Sequence, residues 1–202
     1  MCYHTPMNNP KTIIFFGRSG CGKGTQAQLL IKYLESLQAG ERVVYIETGA
    51  KLREFIKEVG LTQELTAKIM SDGGLLPSFL PIWIWTNTFI RNLSGKEHLI
   101  LDGLSRRIYE APILHDALKF YNREKPTVIV LNISKELSKQ RMLARGRSDD
   151  QDNDIDERLA WYETNVLPTI NFFRENDYYN VVDIDGEQSV EKVGADIVAV
   201  IS

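Results

Sequence analysis

Short runs rich in Ile, Val, Leu and Phe recur along the chain at Thr12–Phe16, Val43–Glu47, His98–Leu101, Thr127–Ile133 and, near the C-terminus, Asn180–Ile184. Between them lie longer stretches with helix-like spacing: Thr25–Gln38, Ala50–Val59, Thr62–Asp72, Phe79–Asn92, Ala111–Arg123, Lys135–Arg145, Asp154–Asn176 and Ser189–Ser202. Almost wholly apolar strands separated by helices imply parallel strands buried on both faces. The pattern predicts an α/β fold, a doubly wound five-stranded parallel sheet flanked by helices, with ligands held at the carboxyl ends of the strands. One block breaks the alternation. The interval from 48 to 92 is too long for a single crossover, so a small helical subdomain is expected to project there. Within it, Leu75–Ile90 is apolar but interrupted by Pro77 and Pro81, which fits a buried helix better than a membrane span. A second, smaller interruption is the polar segment Gly146–Asn153.

The chain has 202 residues, of which 43% are hydrophobic, enough for one domain over 11–202 with a buried core. Met1–Pro10 is polar and reads as a flexible tail without an apolar targeting core. A cytoplasmic, monomeric protein without a membrane partner is expected. The formal charge of −3 offers no broad basic field, so no nucleic-acid partner is expected and any phosphate binding is local. Two cysteines, Cys2 and Cys21, make neither a disulfide framework nor a zinc pattern.

The run Gly17-Arg18-Ser19-Gly20-Cys21-Gly22-Lys23-Gly24-Thr25 follows the first strand and opens a helix, the context of a phosphate-binding P-loop. Its glycines let backbone N–H groups turn inward around an anion, while Lys23 and the helix N-terminus favour negative charge. Cys21 serves there as a spacer, although thiols at helix N-termini can be reactive. His98-Leu99-Ile100-Leu101-Asp102 is a strand ending in an acid. Beside a P-loop, Asp102 can hold Mg²⁺ through water, with the Thr25 hydroxyl near the metal; otherwise Asp102 caps the next segment.

Gly22-Lys23-Gly24-Thr25-Gln26 resembles the adenylate kinase and nucleoside monophosphate kinase family. Thr48-Gly49-Ala50-Lys51-Leu52-Arg53, Asp102-Gly103-Leu104-Ser105-Arg106, and Arg147-Ser148-Asp149-Asp150 followed by Arg158 match further family motifs in order. The resemblance runs from about residue 11 to 200 and implies a short-lid nucleoside monophosphate kinase moving the γ-phosphoryl of ATP to AMP. It implies ATP contacts from Gly20, Cys21, Gly22, Lys23, Gly24, Thr25, Arg145 and Gly186. Acceptor contacts are implied for Thr48, Arg53, Leu76, Gly103, Arg106, Glu110, Arg147 and Arg158. Lys23, Arg106, Arg141, Arg145, Arg147 and Arg158 would serve the transferring phosphoryl group. Arginine suits this work because its planar fork donates paired hydrogen bonds to phosphate oxygens. Arg141 and Arg145 also fit a solvated i,i+4 helix face. The block at 48–92 becomes the monophosphate-binding subdomain and 145–153 the lid, held by Asp149 and Asp150, which also suit helix capping.

The chain departs from the family in ways that bear on function. Ser19 and Ser105 stand where prolines are usual, and Ala50 where an Asp is usual. The lid has only Gly146 between Arg145 and Arg147, and, without cysteine, no zinc site. Glu110 stands where adenylate kinases carry a Gln that reads adenine. A carboxylate only accepts hydrogen bonds, which suits the adjacent N–H donors of guanine. AMP leads, GMP or a deoxynucleotide is the alternative acceptor, and Glu110 facing solvent would leave the base to backbone and Leu76. A kinase for another small acceptor, and a degenerate ATP-binding protein, remain further readings.

Overall fold

In the computed structural model, residues 10–37, 42–146 and 152–202 are described. Five strands, β1 (Thr12–Gly17), β2 (Val43–Glu47), β3 (His98–Asp102), β4 (Thr127–Asn132) and β5 (Asn180–Asp185), form one sheet in the order β2-β3-β1-β4-β5. Every pairing is parallel, as the apolar runs require. β1 occupies the centre, with Phe15 opposite Asp102 of β3 and Gly17 opposite Leu131 of β4.

Alternation along β1 distributes the core. Ile14 and Phe16 face one layer, built with α4 (Phe79–Asn92), α5 (Ala111–Phe120) and α8 (Leu167–Arg174). Ile13 and Phe15 face the other, packed on α1 (Lys23–Leu37) and α9 (Val190–Ile201). Between β2 and β3 run α2 (Thr48–Phe55), α3 (Leu61–Ser71) and α4. Leu52, Leu76, Leu80 and Ile84 form a small core there, against which Ile69 and Met70 of α3 pack. Helix α4 corrects one expectation. It is buried on one face only, through Leu80, Ile84, Trp85 and Phe89, while Phe79, Trp83 and Ile90 are exposed. Pro81 sits in its first turn, where a missing N–H costs no helical hydrogen bond.

Several boundaries move. Helix α2 starts at Thr48 and α1 at Lys23, so both motif residues lie in first helical turns. Helix α5 stops at Phe120, with Asn122 left-handed (φ 52°), and a 3₁₀ turn at Ile108–Glu110 precedes it. The single helix expected over 154–176 is instead α7 (Asp152–Trp161), a π-helical turn (Tyr162–Val166) and α8. Pro168 explains the break, because it cannot donate to the carbonyl of Thr164. Helix α6 (Lys135–Arg145) ends on left-handed Gly146 (φ 58°). The lid residues Arg147, Asp149 and Asp150, and the tail 1–9 with Cys2, lie outside the described residues. No helix among the described residues is long and apolar enough to cross a membrane.

At the amino ends of the strands a charged pair is sealed inside. Glu97 and Arg123 are each 1% exposed and bonded, Arg123 Nη1 also donating to the Glu97 carbonyl at 2.7 Å. The Ser94 hydroxyl (2.6 Å) and the Ser94 and Gly95 amides (both 3.0 Å) complete the carboxylate's shell.

Candidate active site

β1 delivers the phosphate loop to the carboxyl edge of the sheet. Gly17 (φ 142°) is obligatory: a Cβ there would lie 2.5 Å from the Leu131 carbonyl and 2.7 Å from Cys21 Sγ. The loop is pinned by the Ser138 hydroxyl, which donates to the Ser19 carbonyl, and by Arg18, which donates to the Ile133 carbonyl at 3.0 Å. Arg18 also pairs with Glu163 and lies 4.7 Å from the Tyr162 ring centre, tying the loop to the π-helical turn. Lys23 Nζ donates to the carbonyls of Gly17 (2.9 Å) and Arg18 (3.0 Å), so its ammonium is held over the loop.

A cleft of about 680 Å³ opens above these strands. Gly20, Gly22, Lys23, Gly24, Thr25, Arg141 and Arg145 line it together with Thr48, Leu52, Arg53 and Leu76. Tyr45, Glu47, Gly49, Asp102, Gly103, Arg106, Glu110, Arg158 and Trp161 are also among its lining residues. Two expected contacts are not among them. Cys21 is buried beneath the loop at 3% exposure, and its amide donates to the Arg18 carbonyl at 3.2 Å. Gly186 packs against β4: a Cβ there would meet Ile133 at 3.0 Å and the Asn132 carbonyl at 3.2 Å. Its own carbonyl accepts from Arg141 Nη1 at 3.1 Å. Arg147 lies outside the described residues.

Within the cleft, two guanidinium groups converge. A Cβ on Gly49 would sit 3.2 Å from Arg53 Nη1 and 3.8 Å from Arg106 Nη2. Thr48 is 2% exposed and its hydroxyl has no partner. Arg106 Nε donates to the Gly103 carbonyl at 3.1 Å, while Gly103 (φ 71°) and Ser105 (φ 55°) adopt left-handed backbone to turn it inward. Burial pushes the Arg106 pKa down; Asp102 and Glu110 resist, whereas Arg158 and Arg53 add to the fall. A site with this excess of cations gains from an anion placed among them.

The acids complete the picture. Asp102, 5% exposed, accepts from the Tyr45 hydroxyl at 3.3 Å. Burial raises its pKa, Lys23 and Arg106 oppose the rise, and Glu47 reinforces it. Glu47 pairs with Arg53 Nη2 at 2.8 Å. Glu110 does not face solvent: it is 2% exposed and accepts the Arg106 amide at 2.8 Å. Burial raises its pKa against hydrogen bonds from the Ser78 hydroxyl and the Arg106 and Arg107 amides. Glu47, Tyr45 and Trp161 were not foreseen from the sequence. An acid at the carboxyl end of a parallel strand was a signal for Glu47; nothing local marked Tyr45 or Trp161.

A parallel sheet with a phosphate loop at its centre and arginines facing it across one cleft defines a P-loop phosphotransferase. The family model described as adenylate kinase matches residues 15–178. Adenylate kinase 1 of Nostoc sp. is 30% identical over 181 residues, covering 90% of this chain and 93% of the relative. The adenylate kinase of Leptospira biflexa serovar Patoc is 33% identical over 189 residues, covering 91% and 95%. That of Prochlorococcus marinus strain MIT 9303 is 31% identical over 186 residues, covering 92% and 95%. The chain belongs to the adenylate kinase family and is a nucleoside monophosphate kinase.

Proposed function

We propose that this enzyme transfers the γ-phosphoryl group of ATP to AMP, reversibly, to give two molecules of ADP. The observation that carries the reading is the convergence of Arg53 and Arg106 over Gly49 in the same cleft as Lys23. One cleft thus offers two phosphate sites. Thr48, Gly49, Arg53 and Arg106 take the AMP phosphate, with its base toward Leu76 and Glu110. The loop Gly20–Thr25 takes the ATP phosphates. An oxygen of the AMP phosphate attacks the γ-phosphorus as the bond to the β,γ-bridging oxygen breaks, and ADP leaves. Charge and phosphate oxygens balance without proton release. Such transfer depends on positioning and on neutralising charge over the in-flight group. Lys23, Arg106, Arg141, Arg145, Arg147 and Arg158 supply that neutralisation. The segments 48–92 and 145–153 act as acceptor subdomain and lid, excluding water so that ATP is not hydrolysed.

The carboxylate of Asp102 and the Thr25 hydroxyl are hard oxygen donors at the floor and rim of this cleft, which fits Mg²⁺ held largely through water and phosphate. Bound there, Mg²⁺ would neutralise negative charge on the phosphate groups.

GMP is the second reading, favoured by the carboxylate at Glu110. Its engagement by the Arg106 amide supports AMP ahead of GMP, since that oxygen already has a donor. The test is ADP formation from ATP·Mg²⁺ with AMP, dAMP, GMP, CMP and UMP in turn, using Lys23→Ala as blank. A clear rate with AMP is expected. A rate with GMP alone would replace AMP as acceptor, and ATP binding without turnover would favour a degenerate kinase.

A further inference from the structure

Trp161 stands at the end of α7, the helix that carries Arg158, where it meets the loop leading from α3 to α4. Its indole N–H donates to the Gly73 carbonyl at 3.1 Å. From another element, Arg107 Nη2 donates to the Leu75 carbonyl at 3.1 Å. Two side chains remote in sequence thus hold two carbonyls of one short loop. That loop needs holding, for its Gly73 is left-handed (φ 69°) and has no side chain of its own to anchor it. Trp161 also lines the cleft, as do Gly74, Leu75 and Leu76. The Arg106 guanidinium lies 5.8 Å from the ring centre, within cation–π range.

We propose that Trp161 is a positioning residue for the acceptor nucleotide, pinning the Gly73–Leu76 loop and walling the base pocket with its ring. The proposal rests on the reading of this side of the cleft as the acceptor site. A preformed loop spares the ligand the cost of ordering it. The ring face gives a purine an apolar surface, and the contact with Arg106 steadies the guanidinium that meets the phosphate. One side chain therefore links the base end of the acceptor to its phosphate end.

The experiment compares wild type, Trp161→Phe and Trp161→Ala in steady-state kinetics, varying AMP and ATP·Mg²⁺ separately, with tryptophan emission followed as AMP alone is added. Phenylalanine keeps the ring and loses the tie, so the KM for AMP rises about fivefold, the scale of one neutral hydrogen bond. Alanine loses the ring as well, and the KM rises about tenfold or more, the scale of base stacking. The KM for ATP stays within about twofold in both, as separate sites require. AMP alters the emission of wild type and not that of Trp161→Phe, in which Trp83 and Trp85 remain. Equal rises in both KM values, an unchanged KM for AMP, or an emission change that persists in Trp161→Phe would overturn the proposal. If wild type turns over no nucleoside monophosphate at all, the acceptor-site reading falls first and takes this one with it.

Discussion

Replacing Glu97 by Gln removes one charge from a pair that water does not reach and leaves Arg123 without its counter-ion. Burial works against the ionised carboxyl, yet the Ser94 hydroxyl and the Ser94 and Gly95 amides outweigh it, holding the pKa at about 2 against an ordinary 4.5. Each tenfold change in acidity is worth about 1.4 kcal/mol, so the folded protein favours the charged form by about 3 kcal/mol. An uncompensated buried arginine costs about 3–5 kcal/mol, in agreement. Because the folded pKa is depressed, this stability is fully present above about pH 4.5 and is lost as pH falls toward 2. Urea unfolding followed by circular dichroism at pH 7 should show Glu97→Gln less stable by about 3 kcal/mol, a midpoint shift of about 1–2 M. Repeated toward pH 3, the gap between the two proteins should narrow. A gap below about 1 kcal/mol at pH 7, or one independent of pH down to 3.5, would refute the assignment of this pair as a stabilising clasp.

Three further outcomes concern the cleft. Arg158→Ala should keep ATP binding, measured by calorimetry, while turnover falls about 10³-fold, as for arginines that meet a transferring phosphoryl group; near-wild-type turnover would end that role. Glu47→Gln removes a negative charge that pairs with Arg53 beside the proposed acceptor-phosphate site, so the KM for AMP should fall about threefold, the scale of a partly exposed ion pair. A rise would show instead that Glu47 serves to orient Arg53. Burial raises the Glu110 pKa, and a protonated carboxyl both donates and accepts, as the amide of Gln does. The ratio of kcat/KM for AMP to that for GMP should therefore rise as pH is lowered, and Glu110→Gln should flatten that dependence. An identical pH profile in the two proteins would exclude Glu110 from base selection.

The sheet was legible because its central strands write their burial into their own few residues: Ile13, Ile14, Phe15 and Phe16 can only be covered on both sides, whereas the edge strand β5 is mostly exposed or half-buried. The phosphate loop was legible for a similar reason, since its glycines and Lys23 act through local backbone. Less local features escaped. Whether α4 is covered on one face or two depends on what packs around it, and the spacing of Phe79, Trp83 and Ile90 does not say. The break at Pro168 shows as a π-helical turn some residues earlier, because the effect of a missing N–H is felt one turn back. Within the cleft, Trp161 acts through Gly73, a partner eighty-eight residues away, so no window of sequence joins them. Glu110 was noticed for its chemistry, but its bond to the Arg106 amide follows from a turn that propensities alone did not reveal.

The strand order has a consequence for how the protein is made. β1 is synthesised first and placed in the middle, where its neighbours are β3 and β4. Thr12 finds its partner only when Leu99 has been added, and Ile13 its other partner only at Thr127. At ordinary rates of translation the ribosome carries this apolar strand unpaired for on the order of ten seconds. Leu131, whose carbonyl crowds the Gly17 position, comes later still. The phosphate loop thus has no fixed shape until two thirds of the chain has emerged, and ATP is expected to give the growing chain no protection from proteolysis before that length.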